Sequence, residues 1–417
     1  MTSVESDHAP GLFGWWRQAG PEAKRALVAA ALGWGLDAFD VMLYALVLAS
    51  IMSDLGMPKA TGGLLGSLTL AAAAVGGVVF GFVADRYGRT RALIASILIY
   101  SVFTGACGLS RTVWQLALFR VLLGFGMGGE WASGATLVSE TWPAEHRGKA
   151  LGFVQSAWAV GYGAAVLVTA IVLPLAGWRA VFFVGVLPAL LTAWVRRSVR
   201  EPAIWRAARS APAGQAYGFR DIFRGPMLAL TVPVTLMNAC TMFAWWGFNL
   251  WIPSYLQLPA EQGGLGLGRY AMVLLAVMQV GMWFGYVTFG FIADAIGRKR
   301  TYVTYVVAAA ALVLAYTTTR NAWVLFALGP FVAFFGTGYF SGFGAVTAEI
   351  YPTAVRATAQ GFTYNIGRIA SAAAPWTVGQ LAETHGFGFA FLTIAAAFGL
   401  AAVCWIWIPE TKGRPLG

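Results

Sequence analysis

Apolar runs of about 20 residues, the length a helix needs to cross the hydrocarbon core of a bilayer, recur along this chain with short polar connectors between them. They predict twelve membrane-crossing helices, at 26–53, 61–84, 92–109, 113–139, 149–171, 179–195, 227–253, 268–293, 301–317, 321–347, 357–381 and 386–408. The longest connector, 196–226, divides them into a first bundle (26–195) and a second (227–408), flanked by an N-terminal segment (1–25) and a tail (409–417). That linker carries Arg196, Arg197, Arg200, Arg206, Arg209, Arg220 and Arg224. It has too few apolar residues to build a core, so it reads as a cytoplasmic interfacial joint. The expected fold class is an all-α membrane protein of two pseudo-symmetric six-helix halves.

Composition agrees with a chain dissolved in lipid. It is 59% hydrophobic and 11% charged, with mean hydropathy +0.68, where soluble domains carry about a quarter charged residues. Charge placement gives orientation, because short cytoplasmic loops collect Lys and Arg. With both termini inside, 21 of the 28 Lys and Arg lie in cytoplasmic segments, 5 outside and 2 within helices. The opposite orientation would invert 21 to 5, so the expected location is the plasma (inner) membrane with both termini cytoplasmic. The net charge of +11 is mostly this asymmetry, and basic residues scattered among loops argue against nucleic acid as a partner. Cys107, Cys240 and Cys404 lie in three different helices with no metal-ligand spacing, so buried packing is expected of them. No signal peptide is visible in 1–25, where Trp15 and Trp16 beside Arg17 suit the cytoplasmic interface.

The stretch GFVADRYGRTR from Gly81 to Arg91 returns as GFIADAIGRKR from Gly290 to Arg300, 209 positions later. The same shift carries Trp114 onto Trp323, Glu140 onto Glu349, Pro143 onto Pro352, Arg147 onto Arg356, Gly152 onto Gly361 and Glu201 onto Glu410. One offset joining seven landmarks indicates an internal duplication.

Charges inside the spans are the candidate chemistry, since an ionised side chain at mid-membrane costs roughly 3 kcal/mol on the insertion scale and is a functional candidate by default. Asp37 and Asp40 sit at i,i+3 in the first helix. The fourth, FRVLLGFGMGGEWASGA, carries Arg120 and Glu130, ten residues or about 15 Å of rise apart, so each needs its own partner. Gln155, Trp158 and Tyr162 share a face of the fifth helix. Asn238, Trp245, Trp246 and Asn249 of the seventh, Gln279, Trp283 and Tyr286 of the eighth, and Tyr339 and Phe340 of the tenth suit a cavity wall, although plain packing accounts for such stripes as well. The eleventh, GFTYNIGRIASAAAP, holds Tyr364, Asn365 and Arg368. Arginine stays protonated and presents a fork of donors matched to a carboxylate. Arg368 is thus read as an anion anchor, with pairing to Asp37 or Glu130 as the structural alternative.

The paired Gly-x-x-x-Asp loops resemble the signature loop of the major facilitator superfamily, and Arg120 with Gly124 and Gly126 resembles its fourth-helix pattern. GGEWASG, LDAFD and Tyr-Asn-x-Gly-Arg resemble one branch, the sialate and monocarboxylate proton symporters. The resemblance implies cytoplasmic gate roles for Asp85, Arg89, Glu140, Arg147, Asp294, Arg298, Glu349 and Arg356, joined by Glu201 and by Glu410 of a tail that resembles the terminal motif of sugar porters. It implies proton coupling through Asp37, Glu130, Asp40 and Arg120, and substrate contacts from Arg368, Asn365, Tyr364, Trp158, Gln155, Asn249, Gln279 and Tyr339. The expected function is uptake of an organic carboxylate with a proton by alternating access, by a monomer in the lipid bilayer with no cofactor beyond the coupling proton. The Gly-Pro pair of the superfamily's antiporters is missing, which argues against exchange. A sugar or polyol carrier and a transporter-like nutrient receptor remain open. An enzyme is not expected: His8, His146 and His385 fall outside the spans, with no nucleophile-base arrangement or metal cluster.

Overall fold

A computed structural model describes residues 16–17, 19–142, 144–199, 222–351 and 356–412, and no strand occurs among them. The first half comprises α1 (Pro21–Leu55), α2 (Lys59–Tyr87), α3 (Arg89–Gly108) and α4 (Val113–Thr141), followed by α5 and α6. A continuous helical stretch, Ala144–Val184, is interrupted at Gly177, where φ is 73°. The chain folds back there. Gly161 packs on Gly35 and Gly185 on Asp40, at one level of α1, whereas Arg179 pairs with Asp54 near the end of α1 at 2.9 Å. α5 is therefore 144–176, and α6 runs from 178 through a break before Pro188 into Ala189–Ser198.

The second half comprises α7 (Gly225–Gln257), α8 (Arg269–Ile296), α9 (Arg298–Thr318), α10 (Ala322–Thr337 continuing as Phe340–Ile350), α11 (Arg356–Ser371 continuing as Ala374–Thr384) and α12 (Phe387–Cys404). The sequence pattern expects an unbroken helix over 357–381. The structure breaks it at Ala372 and Ala373, because Pro375 opens the second segment without an N–H to return to the first.

The duplication is visible atom by atom. Thr112 caps α4 by accepting from Gln115 N, and Asn321, 209 residues on, caps α10 by accepting from Trp323 N. Gly88 (φ 117°) and Gly297 (φ 107°) make the same left-handed turn before α3 and α9. Gly76 of α2 lets the Phe125 carbonyl of α4 approach, and Gly285 of α8 does so for the Phe334 carbonyl of α10. Small residues let backbones approach this closely where lipid supplies no hydrophobic drive between helices. Trp114 and Trp323 stand 86% and 82% exposed, one at the start of α4 and one at the start of α10, as interfacial anchors do.

The signature loops and helix ends lie together at one end of the molecule, here the basic end. Arg89 pairs with Glu140 at 2.9 Å, and Arg298 with Glu349 at 3.1 Å and with Asp294 of its own turn. These bonds tie helices within each half. Glu410 accepts from the backbone N–H of Arg298, Lys299, Thr411 and Lys412, so the tail that follows α12 caps the start of α9. The side chains of Asp85, Arg147 and Arg356 and the whole of Glu201 lie outside the described residues.

Hydrogen bonds between the halves, among the described residues, all occur toward the far end. Ala60 N donates to Glu383 Oε2 at 2.9 Å, Trp376 N to Ser67 Oγ at 3.1 Å, and Gln257 Nε2 to the Leu46 carbonyl at 3.1 Å. Gly63 and Gly66 admit Pro375 in the same layer. At the basic end the duplicated glycines Gly81 with Gly290, and Gly152 with Gly361, face open space. The far end is closed and the basic end is parted.

Two outcomes follow from this packing. In Gly161→Val a branched side chain meets the Gly35 carbonyl, an overpacking worth about 1–3 kcal/mol, so thermal unfolding in detergent should show a lower midpoint while Gly81→Val leaves it unchanged. Burial raises the Glu410 carboxyl, but its four backbone donors outweigh this and hold it below the usual range. Its contribution is present above the unfolded-state pKa and lost as pH falls through the folded one. The melting gap between wild type and Glu410→Gln should therefore be present at neutral pH and close on acidification.

Candidate functional site

Helices from both halves meet along a central seam: α1 with α7, α2 with α11, and α5 with α8 and α10. On the seam, α1 supplies Trp34 and Asp37, α4 Glu130, and α5 Gln155, Trp158 and Tyr162; facing them are Trp245, Trp246 and Asn249 of α7, Gln279 and Tyr286 of α8, and Tyr364 and Arg368 of α11.

Asp37, Glu130 and Arg368 are all buried. The Arg368 charge acts on both acids, and the acids act on each other. Their placement is a matter of register. A methyl on Gly33 would come within 2.5 Å of Glu130 Oε1, so the missing side chain one turn before Asp37 is what seats Glu130 beside it. None of the four carboxylate oxygens has a hydrogen-bond partner. Among the described residues Arg368 makes no ion pair within 4.0 Å. A fixed cation and two acids thus share one buried region without direct pairing, which is costly unless protons or a further anion balance it.

Beside these charges four tryptophans bridge the halves. Trp34 and Trp158 have ring centroids 4.7 Å apart, Trp158 and Trp245 5.5 Å, Trp158 and Trp246 6.1 Å, and Trp245 and Trp246 4.8 Å. The indole N–H groups of Trp158 and Trp245, the Tyr162 hydroxyl and Gln279 Oε1 lack partners. Tyr162, Trp245, Asn249 and Gln279 also line a void of about 10 Å³, roughly the room of one water. The seam is closed down tightly at this level. Asn249 and Gln279 donate their amides to carbonyls of their own helices, Trp245 O at 3.0 Å and Leu275 O at 3.2 Å. Gln155 faces the Tyr286 hydroxyl across the seam and interacts with it electrostatically. Tyr364 packs on Phe343 at 5.7 Å and interacts electrostatically with Arg368.

Other sequence-predicted residues lie elsewhere. Asn365 is toward the parted basic end, where its amide donates to the Gly361 carbonyl at 2.8 Å. Tyr339 is buried inside the second half, where it donates to the Thr241 carbonyl at 3.2 Å and packs against Tyr302, Phe340 and Phe398. Asp40 turns into the first half, where its Oδ2 accepts from Thr104 at 3.3 Å and its Oδ1 faces Gly185 of α6. Arg120 is also interior, its Cζ 4.0 Å from the centroid of the Tyr44 ring, with Nε and Nη1 unpartnered. Cation–π attraction to Tyr44 takes the place of an acid there.

Sequence reasoning overlooked Trp34 and Tyr44. Each is one turn from an intramembrane aspartate, Trp34 before Asp37 and Tyr44 after Asp40, and that spacing was the available signal. Tyr100, a lone tyrosine in an apolar helix, gave none. No group of three or more His, Cys, Asp or Glu suited to a metal occurs among the described residues.

A family model described as the Major Facilitator Superfamily matches residues 30–272 and 259–416. The cis,cis-muconate transport protein of Acinetobacter baylyi is 33% identical over 395 residues, covering 91% of this chain and 92% of that one. The sialic acid transporter NanX of Escherichia coli is 31% identical over 386 residues, covering 92% of this chain and 93% of that one. The xylose transporter XylE from E. coli, in a partially occluded inward open conformation, shares the fold at a TM-score of 0.78 and 20% identity, over 95% of this chain and 100% of that one. With its duplicated six-helix halves and a family match across nearly its whole length, the chain belongs to the Major Facilitator Superfamily of membrane transporters and is not an enzyme.

Proposed function

We propose that this transporter takes up a small organic carboxylate together with a proton, in the plasma membrane, as a monomer with its basic end and both termini in the cytoplasm. The observation that carries the reading is Arg368: buried on the seam, with no resident carboxylate in contact, and facing two acids from the other half. The muconate and sialic acid carriers among the relatives, both organic acids by name, support the same class. The excess of basic loop residues at one end supports the orientation.

Coupling follows from charge balance in a closed seam. When the site is empty, Arg368 is neutralised by one of Asp37 and Glu130, and the other acid holds a proton. When a substrate carboxylate occupies Arg368, both acids must be protonated for the seam to close without a net charge, since each uncompensated charge at this depth costs about 2.5–3.5 kcal/mol. The difference between the two closed states is one proton per monocarboxylate. Closure at one end and parting at the other then exchange as the halves rock about the site. Gln155, Tyr286 and Tyr364 orient the carboxylate, and the tryptophan cluster with Asn249 and Gln279 receives the rest of the molecule. Asn365 at the parted end meets substrate as it leaves, and Arg120 with Tyr44 holds α1 against α4.

The reading is tested by pH-jump uptake into proteoliposomes with labelled short, aromatic and sugar acids. An inward proton gradient should drive at least one of them, and competition by uncharged sugars would favour a sugar carrier instead. Arg368→Lys keeps the charge but loses the two-pronged fork, and KM should rise about tenfold or more. Asp37→Asn and Glu130→Gln should abolish gradient-driven accumulation while exchange of labelled for unlabelled substrate persists. Unaltered pH dependence in both would overturn their role.

A further inference from the structure

We propose that the Tyr100 hydroxyl passes protons among Asp40, Asp37 and Glu130, so that Asp40, although turned away from the seam, exchanges protons with the two acids that face it. This rests on the proton-coupled reading above.

The placement comes from register. α1 and α3 both run from the basic end to the far end, and Thr104 of α3 donates to Asp40 of α1 at 3.3 Å while bonding the Tyr100 carbonyl at 2.8 Å. Tyr100 is one turn back along α3, as Asp37 is one turn back along α1, so the two stand on matching rungs. From the other side α4 approaches through Gly126, where a methyl would come within 2.7 Å of Tyr100 N. Glu130 is one turn further along α4, and its Oε1 rests on Gly33. Tyr100 is therefore enclosed between the helices that carry the acids, and all three act on it electrostatically. Its side chain is fully buried, and its hydroxyl has no partner. Asp37, Asp40 and Glu130, whose charges act on it, each carry at least one oxygen without a partner. A buried phenol left unpaired among carboxylates is expensive unless it bonds to whichever of them is charged at a given moment.

The cluster is also confined to one half. At the 209-residue offset, Tyr100 corresponds to Ala309, Asp37 to Trp246, Asp40 to Asn249 and Glu130 to Tyr339. Scaffold contacts recur in both halves and this group does not, as expected of a part that serves coupling and not folding.

In the transfer, the Asp40 carboxyl gives its proton to the tyrosine oxygen as the tyrosine's own proton passes to the Asp37 or Glu130 carboxylate. One O–H bond breaks and one forms at each step, and the phenol is neutral before and after. The other titratable or charged groups facing the cluster are Arg120, Tyr44 and Cys107 on the Asp40 side and Arg368 and Tyr364 across the seam.

Tyr100→Phe removes one oxygen and keeps the shape. In proteoliposomes, gradient-driven uptake should fall roughly tenfold or more, its pH profile should shift, and the solvent deuterium isotope effect on uptake should change, while exchange of labelled for unlabelled substrate stays within about twofold of wild type. Asp40→Asn should do the same and provides the reading if Tyr100→Phe does not reconstitute. A wild-type pH profile and isotope effect in both variants, or equal loss of uptake and exchange, would overturn the relay. Wild-type uptake driven by sodium and not by protons would overturn it too. A wild-type protein that moves no acid at all would instead refute the underlying function.

Discussion

A guanidinium that cannot give up its proton, held between two halves of a membrane protein without a resident partner in contact, constrains everything around it. Arg368 is buried on α11, and the acids nearest to it in charge, Asp37 and Glu130, belong to the opposite bundle. The electrostatics of the seam therefore depend on how the halves stand toward each other. A charge confined to one bundle could be balanced once and for all during folding. A charge on the dividing surface has its balance set by both bundles at once.

Each half is braced from within. The duplicated features supply this: the α3 and α9 turns at Gly88 and Gly297, the ion pairs of Arg89 with Glu140 and Arg298 with Glu349, and the glycine seats under the Phe125 and Phe334 carbonyls. Each is internal to a bundle. The ion pairs in particular hold helix ends of their own half together, while the far end is fastened between the halves by Glu383 on Ala60 and by Pro375 between Gly63 and Gly66. The break in α11 before Pro375 lies against Gly63 and Gly66 of the first half, whereas the break in α10 at Gly338 packs on Tyr305 and the Gly285 carbonyl of its own bundle.

Duplicated and unduplicated residues divide by role. At the common offset Arg368 falls on Ala159 and Arg120 on Gly329, just as the seam acids fall on Trp246 and Tyr339. Every intramembrane charge is thus an asymmetry imposed on a symmetric scaffold. The tryptophans show the same pattern, since Trp158 falls on Gly367. At the seam the two bundles differ: the first carries the acids, and the second carries Arg368 and most of the aromatic wall.

Sequence alone determined what depends on local composition and on repetition. Apolar length gave the crossings, the offset gave the two halves, and the expense of a charge in lipid picked out Asp37, Glu130 and Arg368, because each of these signals is carried by a residue and its chain neighbours. What it left undecided depends on the direction in which a helix face points once packed. Asp37 and Asp40, three residues apart, read alike in the sequence, yet one meets the seam and the other Thr104. Tyr339 and Asn365 had the composition of site residues and lie in a bundle interior and at the parted end. Tyr100 had no signal of its own and stands among three acids. The tertiary structure decided these because rotation of a helix about its axis is fixed by contacts with partners far away in the chain, such as Gly33 under Glu130 and Gly126 against Tyr100, and no window of sequence contains both members of such a contact.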